Sequence, residues 1–225
     1  MIRKVIIWDL DGTLMDTLQD LYLATNHALR AFGMPERSLD EVRRFVGNGV
    51  RRLIQLAVPD GEGNPQFEAV FHEFKAYYVD HCQDNTDLYP GIAETLQALK
   101  EGDFRMAVVS NKLQPGVDEL HKEYFSQYID VAIGERQGIN RKPAPDMVLQ
   151  ALREMGASKA EAVYIGDSDV DIMTARNSEL PCISVLWGFR DRDFLIEHGA
   201  TTFAQQPGDI IELLNDQQLT PPLRL

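Results

Sequence analysis

The chain has 225 residues, 44% of them hydrophobic and 25% charged, which is the composition of a globular protein able to bury a core and excludes a disordered or fibrous polymer. Its formal net charge of −13 argues against partners met by basic patches, such as nucleic acid and anionic membrane surfaces. A small anionic ligand would need a local positive focus: a metal ion, a lysine or a helix N-terminus.

The first element is an apolar run, Val5–Trp8, which predicts a buried strand. It leads straight into Asp9 and Asp11. Alternate residues of a strand point to one side, so both carboxylates can face the space beyond its end, and Gly12 then lets the chain turn away. Asp-Gly is also an ordinary turn pair, and either aspartate could cap a following helix.

Residues 16–87 break the strand rhythm. Helical spacing runs through Leu18–Phe32, Leu39–Val46, Val50–Val58 and Phe67–His81, with no convincing strand between them. Tyr89-Pro90-Gly91 marks the turn out. This predicts an all-helical insertion directly after the first strand, placed to act as a lid, because open α/β sheets bind ligands outside the carboxyl ends of their strands. Inside it, Gly47, Asn48 and Gly49 precede Arg51 and Arg52; the glycines would allow close approach to a ligand or simply make a helix–helix turn.

Beyond residue 88, apolar runs at Met106–Val109, Val131–Ile133, Ala162–Ile165 and Ile183–Leu186 alternate with helical patterns. These are marked by Ile92, Leu96 and Leu99, by Met147, Val148, Ala151, Leu152 and Met155, and by Ile172, Met173 and Ala175. The alternation predicts an α/β fold with a doubly wound parallel sheet over residues 1–15 and 88–225, covered on both faces. The tail Thr220-Pro221-Pro222 reads as a frayed terminus.

Three of these strands end in chemistry. Ser110-Asn111 offers a hydroxyl and backbone N–H groups for an oxyanion, or a pair of helix caps. Lys142 stands in Arg141-Lys142-Pro143 between a turn and a helix start, as a phosphate contact or a solvated surface charge. Asp167, Asp169 and Asp171 alternate after Tyr164-Ile165-Gly166, as hard-cation ligands or an acidic first helical turn. Together with Asp9 and Asp11 they compose a phosphoryl-transfer site. Magnesium and Lys142 would neutralise charge, one aspartate would attack phosphorus, and the other would protonate the leaving oxygen.

Only Cys82 and Cys182 are present, without CxxC spacing, which suggests two reduced thiols. The start MIRKVIIWDLD has an apolar run too short for a signal peptide, which needs roughly 7–15 residues, and no segment reaches the ~18–20 apolar residues of a membrane span. The expectation is a cytoplasmic protein with no membrane or nucleic-acid partner.

In order, the runs DLDGTL from Asp9 to Leu14, Ser110-Asn111, Lys142-Pro143 and GDSDVD from Gly166 to Asp171 resemble the four motifs of the haloacid dehalogenase-like (HAD) superfamily. The chain is most similar to its phosphoglycolate phosphatase-type branch, with a Rossmann-like core and a helical cap. The resemblance implies a magnesium-dependent phosphatase acting through an aspartyl-phosphate on a small phosphorylated metabolite, as a monomer or homodimer. By the same resemblance Asp9 is nucleophile and metal ligand, while Asp11 is the general acid/base and lends its backbone carbonyl to the metal. Ser110, Asn111 and Lys142 hold the phosphoryl group, Asp167 ligates magnesium, and Asp171 orients Lys142 or metal-bound waters. Thr13 steadies the first loop beside the substrate, and Gly47, Asn48 and Gly49 match a specificity loop.

Trp8 stands where the family usually has phenylalanine. Lys112 follows Ser110-Asn111 and competes on paper with Lys142, which the Lys-Pro context favours. Trp187-Gly188-Phe189-Arg190 also resembles phosphoglycolate phosphatase-like chains, without an assigned role. The rivals are a sugar-phosphate mutase of the same superfamily and a phospho-acceptor signalling domain. A dehalogenase would lack Asp11, and a phosphonatase would need a cap lysine, for which Lys75 alone is available.

Overall fold

The computed structural model describes residues 4–215 together with Leu219 and Pro222; the tail residues Thr220 and Pro221 lie outside the described residues. In chain order the elements begin with β1 (Val5–Trp8), β2 (Met15–Asp16), α1 (Leu18–Ala31), α2 (Leu39–Phe45), α3 (Gly49–Ala57) and α4 (Phe67–His81). Next come β3 (Asp87–Leu88), α5 (Ile92–Glu101), β4 (Arg105–Leu113), α6 (Gln114–Leu120), β5 (Val131–Glu135) and α7 (Asp146–Glu154). The last are β6 (Ala162–Gly166), α8 (Asp169–Ser178), β7 (Cys182–Val185), α9 (Arg192–Glu197), β8 (Phe203–Ala204) and α10 (Asp209–Asn215). The chain divides into two compact units, Met1–Leu14 with Leu88–Leu225, and Met15–Asp87.

The first unit is an α/β layer structure built on a six-stranded sheet in the order β5-β4-β1-β6-β7-β8. Every recorded pairing in it is parallel. Ile7 stands between Ala107 and Tyr164 in register. All four residues of β1 and all five of β6 are buried, because helices cover both faces, and this is why these strands read as unbroken apolar runs. One face packs Val5, Ile7, Ala107, Val109 and Tyr164 against Met147, Val148, Ala151 and Leu152 of α7. Trp8 is fully buried with no partner for its indole N–H among the described residues, a cost of about 1–3 kcal/mol carried next to Asp9.

From β1 the chain builds outward through β4 and β5, then returns to the other side of β1 for β6, β7 and β8. The reversal falls beside β1. The carboxyl ends of β1, β4 and β6 therefore lie together at the topological switch point, where open parallel sheets bind ligands.

The second strand of the sheet is longer than its apolar run suggests. β4 continues to Leu113 and takes in Ser110, Asn111 and Lys112, with a register shift against β5 between Val109 and Leu113. Ser110 and Asn111 are thus strand residues and not helix caps. The extension has a local cause. Gly134 of β5 leaves no room for a Cβ, which would stand 2.8 Å from both the Lys112 carbonyl oxygen and Gln114 Cα. Gln114, the first residue of α6, then bridges to β5, accepting from the Gly134 N–H at 2.7 Å and donating to the Ala132 carbonyl at 3.1 Å.

The second unit is helical. Leu21, Ala24, Ala28 and Leu29 of α1, Val42 of α2, Leu53, Ile54 and Ala57 of α3, and Phe67, Val70 and Phe74 of α4 form its buried apolar set. Ser38 caps α2 reciprocally with Glu41, whose carboxyl is held below the usual range by the Ser38 N–H and hydroxyl. Buried Asp20 accepts from the Asn85 N–H and side-chain amide and from the Thr86 hydroxyl. β2 and β3, two residues each, pair into a small separate sheet that the sequence pattern does not announce. Among the described residues no helix is long and apolar enough to cross a membrane.

Candidate active site

The site is assembled at the carboxyl ends of β1, β4 and β6. The Asp9 N–H donates to the Ile165 carbonyl at 2.8 Å, which fixes the first residue beyond β1 against β6. Asp9 Oδ1 accepts from the Leu10 N–H and from Lys142 Nζ, each at 2.7 Å. Oδ2 has no hydrogen-bond donor among the described residues.

Lys142 reaches in from the loop before α7 and is 2% exposed. Besides Asp9 it donates to Asp171 Oδ1 at 2.8 Å and to the Tyr164 hydroxyl oxygen at 3.0 Å. Burial alone would lower its pKa, but the charges of Asp171 and Asp9 outweigh burial and hold the ammonium above its usual range.

Asp171 has both oxygens engaged. Oδ1 accepts from Lys142 and from the Tyr164 hydroxyl at 2.9 Å, and Oδ2 accepts from the Ser168 N–H at 3.1 Å and hydroxyl at 2.6 Å. It closes the capping box of α8 with Ser168, so a helix-cap carboxylate doubles as the anchor of Lys142. Burial pushes its pKa up, yet Lys142 and these hydrogen bonds bring it below the usual range.

Asp167 and Asp9 both shift the opposite way to Asp171. Burial, then the Asp171 charge, pushes Asp167 up to about 7, against the opposing Phe189 N–H, Arg190 and Lys142. Burial, then Asp171, holds Asp9 well above the usual carboxylate range despite Lys142. Three buried carboxylates thus share one buried ammonium, and oxygens of Asp9, Asp167 and Asp171 lie within 4.8 Å of one another. An all-oxygen donor set with surplus buried negative charge fits a hard divalent cation.

The two aspartates at the end of β1 do not share a lysine. Asp11 Oδ1 accepts from Lys112 Nζ at 3.2 Å, so each carboxylate has its own ammonium, Lys142 for Asp9 and Lys112 for Asp11. The choice that the sequence poses between two lysines is resolved by geometry into two separate pairings. Ser110 Oγ accepts from the Lys112 N–H at 3.1 Å, which leaves its own proton to donate. Asn111 Nδ2 donates to the Lys142 carbonyl at 3.1 Å and ties the end of β4 to the Lys142 loop. Thr13 is fully buried, with its hydroxyl 3.4 Å from Asp167 Oδ1.

Asp11, Thr13, Ser110, Asn111, Lys142, Asp167 and Asp171 therefore gather around Asp9. Gly47, Asn48 and Gly49 belong to the helical unit, where Gly47 and Gly49 take positive φ and Asn48 precedes α3. Arg51 is engaged there with Glu62 and Glu68 and lies over the Phe67 ring, and Lys75 lies over Phe71.

The segment Trp187–Arg190 has a place in this site that its sequence does not reveal. The Trp187 indole N–H donates to the Thr13 carbonyl at 2.9 Å, and the Phe189 N–H donates to Asp167 Oδ2 at 2.7 Å. Arg190 pairs with Asp169 at 3.5 Å. A Cβ on Gly188 would overlap Asp167 and the Gly12 carbonyl oxygen. In the sequence the segment is marked by its resemblance to phosphoglycolate phosphatase-like chains and by a glycine between two aromatics, and neither names the carboxylate that it holds.

With this geometry in place, the chain matches the family model of haloacid dehalogenase-like hydrolases over residues 6–185. It is 32% identical over 219 residues to a phosphoglycolate phosphatase of Aquifex aeolicus, covering 95% of this chain and 97% of that one. It is 37% identical over 190 residues to a phosphoglycolate phosphatase of Rhodobacter capsulatus, covering 82% and 85%. A crystal structure from Lactobacillus delbrueckii subsp. bulgaricus, provisionally named a phosphoglycolate phosphatase, superposes with a TM-score of 0.91 at 36% identity over 95% of this chain and 99% of that one.

Proposed function

Since the chain belongs to the haloacid dehalogenase-like hydrolases and is a phosphatase, we propose that it hydrolyses small phosphate monoesters, phosphoglycolate foremost, in two steps through an Asp9 phosphoryl intermediate with magnesium as cofactor. The observation that carries the reading is the Asp9 carboxyl at the switch point, with one oxygen fixed by Leu10 and Lys142 and the other without a donor among the described residues.

In the first step an Asp9 oxygen attacks phosphorus, and the leaving oxygen takes a proton from Asp11. In the second, Asp11 takes a proton from water as that water attacks the phosphoryl group, which releases Asp9 and inorganic phosphate. Lys142, locked by Asp171 and Tyr164, places a fixed positive charge beside Asp9 for the phosphoryl oxygens. The Ser110 hydroxyl and the Asn111 backbone N–H supply further donors to those oxygens. Asp9, Asp167 and the Asp11 carbonyl would hold magnesium, which when bound supplies positive charge to offset the carboxylates and the phosphate. Phosphoglycolate is preferred because it is the substrate named for the relatives. Gly49 opens α3 just after Gly47 and Asn48, and the N–H groups of that helix start would suit its carboxylate, with the helical unit of residues 15–87 serving as the cap.

The test is phosphate release with magnesium from phosphoglycolate, sugar phosphates, nucleotides and pyrophosphate, by the wild type and Asp9→Asn. The highest kcat/KM is expected for phosphoglycolate, with activity lost in the variant and a phosphoryl group trapped on the Asp9 peptide after acid quench. No release from any ester, or an active Asp9→Asn, would sink the reading. Isomer interconversion of a sugar phosphate without net release would turn it toward a mutase.

A further inference from the structure

Lys112 is a buried cation to which the two-step phosphatase reaction assigns no role. We propose that it is a positioning residue: it grips Asp11 by Oδ1 and presents Oδ2 to the leaving-group oxygen. The inference rests on Asp11 being the general acid and base.

Two observations and one chemical fact carry it. The Lys112 ammonium lies 3.2 Å from Asp11 Oδ1, with both side chains largely buried, at 6% and 18% exposure. Asp11 Oδ2 has no donor among the described residues, so the carboxyl is fixed by one oxygen and free at the other. An ammonium can donate to a carboxylate and, more weakly, to the carbonyl oxygen of the protonated acid, so Oδ1 remains the contacted oxygen in both states.

Lys112 itself is held by the fold. Its N–H donates to Ser110 Oγ, its carbonyl abuts Gly134, and its aliphatic stem passes beside Gly116 of α6, where a Cβ would stand 3.5 Å from Lys112 Cε. The register shift of β4 against β5 falls between Val109 and Leu113, the stretch that carries this residue. The backbone irregularity and the bridging Gln114 thus aim one lysine at one carboxyl oxygen.

The proton balance is simple. As the bond between the Asp9 oxygen and phosphorus forms and the ester O–P bond breaks, the Oδ2 proton passes to the leaving oxygen. In the second step the same oxygen takes the proton of the attacking water. A nitrophenolate leaves without this help, and an alkoxide does not.

The experiment measures kcat/KM, which reports the first step, for phosphoglycolate and for p-nitrophenyl phosphate. The proteins are the wild type, Lys112→Met, Lys112→Gln, Lys112→Arg and Asp11→Asn, with folding checked by circular dichroism. Loss of the charge is expected to cost about 10–100-fold on the alkyl ester and less than about threefold on the aryl ester, with Lys112→Arg retaining more of the alkyl activity. Either charge-free variant that folds decides the matter. Equal losses on both esters would place Lys112 on the phosphoryl group and overturn the proposal, as would no loss on either. Asp11→Asn separates the two levels. If it is not itself selective against the alkyl ester, the acid assignment falls and the proposal with it. If it is selective and the Lys112 variants are not, only the proposal falls.

Discussion

Removing the Lys142 ammonium strips the counter-charge from Asp9 and Asp171 at once, since both carboxylates lie within 2.8 Å of it. Breaking one partner out of a buried ion pair typically costs about 3–5 kcal/mol, because the remaining charge stays buried without compensation. Lys142→Met is therefore expected to lower the urea unfolding free energy of the metal-free protein by about that amount and kcat/KM by about 10³-fold. Lys142→Arg should not restore activity, because a planar fork cannot replace a point charge donating to Asp9, Asp171 and Tyr164. An unchanged unfolding curve in Lys142→Met would show that the ion pairs add no net stability. At this scale the sequence told half the story. The Lys-Pro context selected Lys142, but the contact of Lys112 with Asp11 comes with a strand shift that no residue pattern near it encodes.

The connection from β7 to α9 acts as one element in holding Asp167. Its hold on Asp167 runs through backbone, the Phe189 N–H and the close approach of Gly188, while the Trp187 side chain donates to the Thr13 carbonyl and the Arg190 side chain pairs with Asp169. Gly188→Ala must push this backbone off Asp167 or off the Gly12 carbonyl, and overpacking of this kind costs about 1–3 kcal/mol. The expected result is a lower melting temperature together with weaker Mn²⁺ binding by calorimetry, whereas Trp187→Phe, which keeps the backbone path, should weaken binding less. Full Mn²⁺ affinity in a destabilised Gly188→Ala protein would reduce the segment to packing. Such backbone contacts are the part of a site that sequence hides best, since the donor is the same in every non-proline residue. The capping box of α8 hides in another way: Ser168 and Asp171 look like an ordinary helix start, and they are one, while Asp171 also anchors Lys142.

Across the whole molecule, the long periodic elements were readable because their physics is local. Apolar runs gave β1, β4, β5, β6 and β7, and 3.6-residue spacing gave α1 to α4 within a residue or two. The two-residue strands β2, β3 and β8 were not readable, because pairing rather than sequence creates them. Nor were α6, α9 and α10. What local patterns could not give is the convergence of β1, β4 and β6, which follows from strand order, and with it the charge imbalance at the switch point. That imbalance makes the folded protein a poor host for its own carboxylates until a cation enters. A ligand that binds only the folded state adds RT ln(1 + [L]/Kd), about 2.7 kcal/mol at a hundred times Kd, or roughly 5–10 °C in melting temperature for a chain of this size. Magnesium should therefore raise the melting temperature by about that much, EDTA should reverse it, and Asp167→Asn should abolish most of the gain. The candidate ligands Asp9, Asp11 and Asp167 all belong to the unit of residues 1–14 and 88–225, so added amide-exchange protection should concentrate at the ends of β1 and β6 and at residues 187–190. A melting temperature indifferent to both magnesium and EDTA would mean that the buried acids are neutralised by protons instead, and the metal-dependent reading would have to be given up.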